Sequence, residues 1–489
     1  MSRSFHLSAL ALLGFTLVNV ALNVVRSPLR GYPGPWYTCF THYVLKLKTL
    51  TGQRMYYVND LHKRYGPLVR IAPNQLASCS PDDFETIHRV GSGFNKTQWY
   101  EDWTRGKDGE GIGIGLFAMT DPRQAAARRR MFARALSVTS IRANCEDVVK
   151  EKVNTAVAKI KSDLVNGKES NVMKWWMLMA SDVIGQLSFG ESFEQLQVGR
   201  KSHFIEVLEA VALGVTLNYE FSGIMTLLKR VPMAALQHVV EAPKSLRKYG
   251  QRAVDNLRKH SGVKGNLFAT MLAHSEAADD ELTDEDVRIE ASLFLIAGAD
   301  STAVTLTYLV WAVLKRPSLQ ARLEDEVAAL GDDCELDDVV LEKLPLLNAV
   351  IEESLRLYGA LCGNLSRLVP PGGATLSGFR VPAGTEVETQ AFTMHRNPDV
   401  FPNPLEFDES RWMGKDASSR PSSYCPWGAG ARICQGSHLA KMEMRLAAAT
   451  LFRECRGLRI GDRMTDDMMD SLNYFLSMPK GHKLEVSMS

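Results

Sequence analysis

The chain has 489 residues, of which 45% are hydrophobic and 23% charged, so it can bury a large core and reads as globular. A net charge of +1 excludes partners recruited by global charge, such as nucleic acid, and any basic patch has to be local. Eight cysteines, at 39, 79, 145, 334, 362, 425, 434 and 455, include no Cys-x-x-Cys pair; they are too sparse for a disulfide scaffold and favour a reducing compartment.

Phe5 to Val25 has only His6 as a titratable side chain. As a helix it would span about 31 Å, close to the hydrocarbon thickness of a bilayer. It is too long for a usual signal-peptide core, and Arg26 and Arg30 after it favour a cytosolic body. The expected organisation is a membrane anchor over 1–26, a hinge over 27–36 stiffened by Pro28, Pro33 and Pro35, and one domain over 37–489. "PLVRIA" and "QLASCS" flank Pro73-Asn74 and predict a hairpin. "GEGIGIG", Gly109 to Gly115, fails the dinucleotide pattern Gly-x-Gly-x-x-Gly in every register and reads as a mobile loop.

Helical periodicity dominates the middle of the chain. Thr283 and Asp286 form a capping-box-like start, and Pro317 stops the helix after Lys315. Such a helix would run roughly 48 Å, across a whole domain. Its apolar centre holds Gly298, Asp300 and Ser301, read as a local weak point beside an acid and an alcohol that line a cavity; the bland reading of Asp300 is a core carboxylate bonded to backbone. A second helix, "LPLLNAVIEESLRLYG", puts Glu353 and Arg356 on one face, as Glu285 and Arg288 are elsewhere. Turn-rich strands follow between Asn364 and Gln390. "NPLEFDESRW" then carries Arg411, and a carboxylate between two guanidiniums would pin a loop. That loop is "PWGAGARICQG", Pro426 to Gly436, whose glycines suit close approach of something bulky. Cys434 in it could be a redox thiol, a zinc ligand with His438, a structural thiol, or a thiolate ligand to a planar cofactor; Cys425 is a rival ligand.

In this order the motifs resemble the cytochrome P450 superfamily of heme-thiolate monooxygenases, over Phe5 to about Pro479. The resemblance implies a mainly α fold: a single large helical domain with minor β-sheets, plus the N-terminal transmembrane helix. It implies heme b, iron protoporphyrin IX, with Cys434 as its axial iron ligand, and a structural triad of Glu353, Arg356 and Arg411. Arg432, Arg129 and Arg367 correspond to its propionate-binding arginines, and Trp427, Gly428 and Gly430 to its cysteine loop. The bland reading of Arg129 is a solvated face, since Arg128 and Arg130 adjoin it. Three residues depart from the pattern: Trp427 replaces the usual Phe, Ala125 a Trp that contacts a propionate, and Ser301 the usual Thr.

The implied reaction places O2 opposite Cys434, with two electrons, and two protons relayed through Asp300 and Ser301. Electrons come from a separate NADPH-cytochrome P450 reductase, docked in part by Arg128, Arg130 and Lys441. The implied location is the endoplasmic-reticulum membrane with a cytosolic catalytic domain. The substrate is a lipophilic small molecule in a pocket including Phe94, Trp99, Leu361 and Phe475, and "DPRQAAARRRMFARALS" resembles filamentous-fungal members of secondary metabolism. The rival functions are a heme-thiolate isomerase or dehydratase and a non-catalytic heme-binding receptor.

Overall fold

The computed structural model describes residues 18, 22, 24–106, 109, 111–200, 203–221, 234–259, 267–269, 282–414 and 420–488. Its helices of seven or more residues are α1 (Tyr43–Leu50), α2 (Arg54–Tyr65), α3 (Pro81–His88), α4 (Trp99–Arg105), α5 (Pro122–Ala135), α6 (Val138–Asn144), α7 (Glu146–Val165), α8 (Val172–Phe189), α9 (His203–Glu220), α10 (Ala234–Lys259), α11 (Asp284–Leu314), α12 (Pro317–Ala328), α13 (Pro345–Tyr358) and α14 (Ser437–Glu454). The fold is mainly helical with small sheets, as expected.

The long helix is α11. The Thr283 hydroxyl accepts from the Asp286 N–H at 3.1 Å, and the Asp286 carboxylate accepts from the Thr283 N–H at 3.1 Å, which completes the predicted capping box. Pro317 opens α12 as its first residue. The helix is unbroken through Gly298, so the expected weak point is absent. A side chain there would come within 2.8 Å of Ile184 on α8; the glycine is where the two helices cross closely, and that packing offsets its conformational cost of about 1 kcal/mol. Of the described helices, α11 alone is long and apolar enough to span a membrane, but 72% of its apolar window is buried in the domain. The expected anchor at 5–25 lies, apart from Val18, Leu22, Val24 and Val25, outside the described residues.

The largest sheet has the order β1-β2-β8-β5-β3. Its strands are β1 (Leu68–Ala72), β2 (Gln75–Ser78), β3 (Asn95–Lys96), β5 (Asn364–Leu368) and β8 (Glu386–Gln390). β1 and β2 form the predicted hairpin. β3 pairs with β5 so that Lys96 stands opposite Arg367, two like charges in register. β4 (Ser170–Asn171), β12 (Glu485–Met488) and β9 (Leu458–Ile460) form a second sheet; β6 (Ala374–Leu376) pairs with β7 (Phe379–Val381), and β10 (Ser471–Asn473) with β11 (Ser477–Pro479). The β10–β11 turn carries Phe475.

The proline-rich segment 27–36 is docked on the sheet. Leu29 is fully buried with Leu68, Leu76 and Val387. Arg70 donates through Nη1 to the Leu29 carbonyl and through its N–H to the Pro33 carbonyl, both at 2.7 Å. A side chain at Gly34 would come within 2.5 Å of the Arg70 carbonyl oxygen.

Candidate active site

The cysteine loop turns through a short 3-10 segment, Gly430–Arg432, and feeds α14. Gly428 and Gly430 have φ of 73° and 59°, which glycine adopts without strain. A side chain at Gly430 would run into the carbonyl of His88, so this glycine answers to a protein neighbour as well as to any cofactor. The Cys434 N–H donates to the Trp427 carbonyl at 2.8 Å. The Cys434 surface opens into a cavity of about 650 Å³, although surrounding atoms desolvate it. Burial pushes the thiol up; the N–H groups of Gly436 and Ser437 and the Arg129 guanidinium act the other way, favouring thiolate. The Trp427 indole N–H is buried without a protein partner among the described residues.

The rival thiol Cys425 is buried with Phe84, Ala391 and Met394, away from the cavity, and pushed up to about 12 by burial. No cluster of three or more His, Cys, Asp or Glu suited to a metal ion occurs among the described residues, which removes the support for a zinc site at Cys434 and His438.

Arg129, Arg367 and Arg432 line the Cys434 cavity, and Lys96 joins them. None forms an ion pair among the described residues, and Arg432 Nη1 is buried without a partner. Burial, then Arg367 and Arg432, drives the Lys96 ammonium well below its usual range. Its Nζ donates to the Phe117 carbonyl and lies 4.2 Å from the Tyr100 ring centroid. Three guanidiniums and an amine that an incoming anion would recharge converge here without an ion pair among the described residues, and suit a ligand bearing more than one carboxylate. Heme, a planar group with two propionates, fits both this donor set and the thiol. Lys96 escaped the sequence reading because its role rests on pairing with β5, 271 positions along the chain. Ala125, one turn before Arg129, is buried at the cavity edge and brings no hydrogen-bond donor of its own.

On α11, Ala297, Ser301 and Thr302 line the cavity, whereas Asp300 does not. One residue of α-helix turns the side chain by about 100°, so the expectation that Asp300 shares the wall with Ser301 is corrected. The Ser301 hydroxyl donates to the Ala297 carbonyl at 2.6 Å, leaving its lone pairs as acceptors. Thr302 is hydrogen-bonded to Glu443 of α14, a fully buried carboxyl pushed up to about 8 by burial, whose Oε2 has no partner. The sequence reading missed Glu443, which looks like any polar residue on an amphipathic helix.

Beneath the loop, Arg356 Nε and Nη2 reach the two oxygens of fully buried Glu353 at 2.8 and 2.7 Å. Arg411 Nε lies 3.4 Å from Glu353 Oε1, an ionic contact without hydrogen-bond geometry. The remaining bonds to Glu353 come from the Asp408 N–H and the Trp412 indole N–H, both at 2.9 Å. Arg356 also donates to the carbonyls of His395 and Pro404 at 2.7 Å and of Glu406 at 2.9 Å. His395 carries the link to the loop. Its Nδ1 donates to the Arg356 carbonyl, and its Nε2 accepts from the Cys425 N–H, both at 2.9 Å. Burial lowers it to about 3, so the ring is neutral and serves as donor on one side and acceptor on the other. Glu285 and Arg288, the same spacing elsewhere, form an ion pair that Arg247 joins at 3.2 Å from Glu285.

The loop ending at Gly115 is pinned: Ile112 is fully buried, and the Leu116 N–H donates to Glu290 on α11 at 2.8 Å. Arg128, expected on the docking face, is turned inward to Asp286 at 2.6 Å and Glu290 at 3.4 Å. Lys441 pairs with Glu352 at 2.9 Å. Trp99, Leu361 and Phe475 line the cavity, whereas Phe94 belongs to the core under the sheet.

Comparison with known proteins adds to this geometry. The family model described as Cytochrome P450 matches residues 32–486. The chain is 37% identical over 473 residues to cytochrome P450 monooxygenase stcB of Emericella nidulans, covering 95% of this chain and 89% of that protein. It is 37% identical over 466 residues to cytochrome P450 monooxygenase tazI of Aspergillus terreus, covering 94% of each. It is 33% identical over 390 residues to methylphloroacetophenone oxidase of Cladonia uncialis, covering 77% of this chain and 84% of that protein. The crystal structure of the cytochrome P450DA heme domain superimposes with a TM-score of 0.78 at 20% identity, covering 94% of this chain and 98% of that one.

Proposed function

Since the chain belongs to the cytochrome P450 family and is a heme-dependent monooxygenase, we propose that it inserts one oxygen atom of O2 into a C–H bond of a medium-sized lipophilic molecule of fungal secondary metabolism. The observation that carries the reading is Cys434, opening on a cavity lined by Lys96, Arg129, Arg367 and Arg432, none of them in an ion pair among the described residues. The Cys434 thiolate would ligate heme, Lys96, Arg129, Arg367 and Arg432 would hold its propionates, and the heme would supply the activation of dioxygen.

The chain's residues do the rest. The N–H groups of Gly436 and Ser437 and the Arg129 guanidinium favour the thiolate against the burial that opposes it, and α14 points its positive end at the sulfur. Ser301 delivers protons at the cavity wall, with Asp300 behind it as the adjoining acid; its hydroxyl lacks the methyl that would restrict its rotamer. Thr302 and Glu443 hold a further proton at the same wall.

The family takes electrons from a redox partner, and here that partner is a separate NADPH-dependent reductase. Arg130, exposed on α5, remains from the three expected docking cations. The apolar run 5–25 and the basic residues after it support an anchor over 1–26 in the endoplasmic-reticulum membrane, with 27–36 linking it to a cytosolic catalytic domain.

The test is reconstitution of the heme-loaded full chain with such a reductase and a panel of lipophilic metabolites under isotopically labelled dioxygen, with products read by mass spectrometry. Gain of one labelled oxygen per product, dependent on NADPH, is expected. Turnover without NADPH would replace the reading with an isomerase or dehydratase, and binding without NADPH consumption would replace it with a receptor.

A further inference from the structure

Trp99 and Trp103 are four residues apart on α4 and share a face. Their rings stack with centroids 5.7 Å apart. Trp103 packs 4.5 Å from Phe475, brought in by the β10–β11 turn. Phe475 meets Phe117 edge-on at 5.6 Å, and Phe117 meets Tyr100 at 5.5 Å. Tyr219 of α9 extends the row beyond Trp99 at 6.3 Å. All six rings line the Cys434 cavity. Trp103 and Tyr100 are closed off in the core, as ordinary packing would have it, but Trp99, Phe117 and Phe475 remain only partly buried. On α11, Ala297 presents only a methyl group to the same cavity and is exposed there.

Most charges around this wall already have a partner. Lys46 pairs with Glu220 at 3.1 Å and Arg54 with Glu388 at 2.6 Å. Glu386 accepts from Gln75 at 2.5 Å, and Glu290 is held by Leu116 and Arg128. An anionic ligand finds no free cation outside the cluster claimed by heme, and the cavity carboxyls that meet no cation, Glu386 and Glu443, are both pushed toward the neutral form by burial. Thr216 accepts a long bond of 3.5 Å from the Trp103 indole and keeps its own proton for an oxygen on a ligand's edge.

Resting on the monooxygenase reading, we propose that the substrate is a neutral, planar aromatic compound with oxygen substituents, recognised by lying against the wall of Trp99, Phe117 and Phe475, which Trp103 backs. Ring–ring contacts favour such a ligand over a saturated one of equal size by about tenfold in affinity, the sum of one or two aromatic pairs.

The test titrates the heme-loaded full chain with 1-naphthol and decahydro-1-naphthol, which share one carbon skeleton, and reads the shift of the heme absorption band. About tenfold tighter binding of the naphthol is expected. Trp103→Leu and Phe475→Leu should each bring the two affinities to within about threefold. Phe475 sits on a hairpin turn, so its variant keeps the test decisive if Trp103→Leu does not fold. Equal affinity in the parent, equal weakening of both probes in the variants, or no shift with either probe would overturn the proposal. The reduced carbon-monoxide spectrum separates this failure from the deeper one: a thiolate-type spectrum without aromatic preference sinks only the substrate class, and a spectrum of another type sinks the monooxygenase reading.

Discussion

Replacing Trp412 by Phe isolates one hydrogen bond in the network under the cysteine loop. Glu353 is fully buried and accepts four hydrogen bonds, two from Arg356 and one each from the Asp408 N–H and the Trp412 indole. The indole bond is 2.9 Å long and ends on a carboxylate, and bonds to charged groups are worth about 1.5–3 kcal/mol. Phe keeps a ring against Tyr424, which lies 4.6 Å away, so most of the packing survives. The expected loss is about 2 kcal/mol, roughly a thirtyfold change in the ratio of intact to opened protein. Arg411→Met should cost about 1 kcal/mol, because it removes one bond to the Asn403 carbonyl at 3.1 Å and a contact of 3.4 Å without hydrogen-bond geometry, and leaves Glu353 paired with Arg356. Arg356→Met should cost about 3–5 kcal/mol by leaving a buried carboxylate uncompensated. The assay is a urea titration of the heme-loaded protein, followed by its thiolate-type carbon-monoxide band. If Trp412→Phe stays within about 0.5 kcal/mol of the parent while Arg411→Met exceeds it, the arginine holds Glu353 and the reasoning is refuted.

Cys434→Ser should abolish the thiolate-type spectrum and turnover with the fold retained, whereas Cys425→Ser should keep the spectrum and lose about 1–3 kcal/mol by placing a hydroxyl among apolar side chains; the reverse pattern would exchange the two cysteines. Ser301→Ala should raise peroxide released per NADPH about tenfold, and unchanged coupling would remove Ser301 from proton delivery. Glu443, raised from 4.5 to about 8, holds a proton in the folded chain that the unfolded chain releases between those values. Stability should therefore fall as pH rises through that window, by up to about 5 kcal/mol, and Glu443→Gln should flatten the slope in urea midpoints. Burial moves Glu290 to about 7, a contribution of the same sign, while His395, lowered to about 3, takes stability away as pH falls below its usual 6.5.

Features whose cause is local were legible in the chain. The capping box at Thr283 joins residues three apart, the hairpin turns at Pro73-Asn74, and Glu353 meets Arg356 across one helical turn. The residues that escaped notice act across distance. Trp412 reaches Glu353 over 59 positions, Cys425 reaches His395 over 30, and Lys96 becomes one of a cation cluster only when β3 pairs with β5. None carries a pattern in its own neighbourhood that separates it from an ordinary surface or core residue. Asp300 shows the converse limit: adjacency in sequence to Ser301 does not put both on one wall of a cavity, because a helix turns between them.

The glycines carry this argument one step further. In the sequence, those around Cys434 read as room for a flat cofactor, and Gly298 reads as a weakness in the long helix. In the structure, Gly298 admits Ile184, and Gly430 admits the carbonyl of His88. The loop is thus seated from two directions. The end of α3 meets it at Gly430, and His395 holds its start through the Cys425 N–H while bonded to the backbone of Arg356. The chain leading into Cys434 is then held at two points, with the Cys434 N–H bonded back to Trp427. A ligand atom held in this way is pre-organised before any cofactor arrives, so little ordering remains to be done when the iron binds.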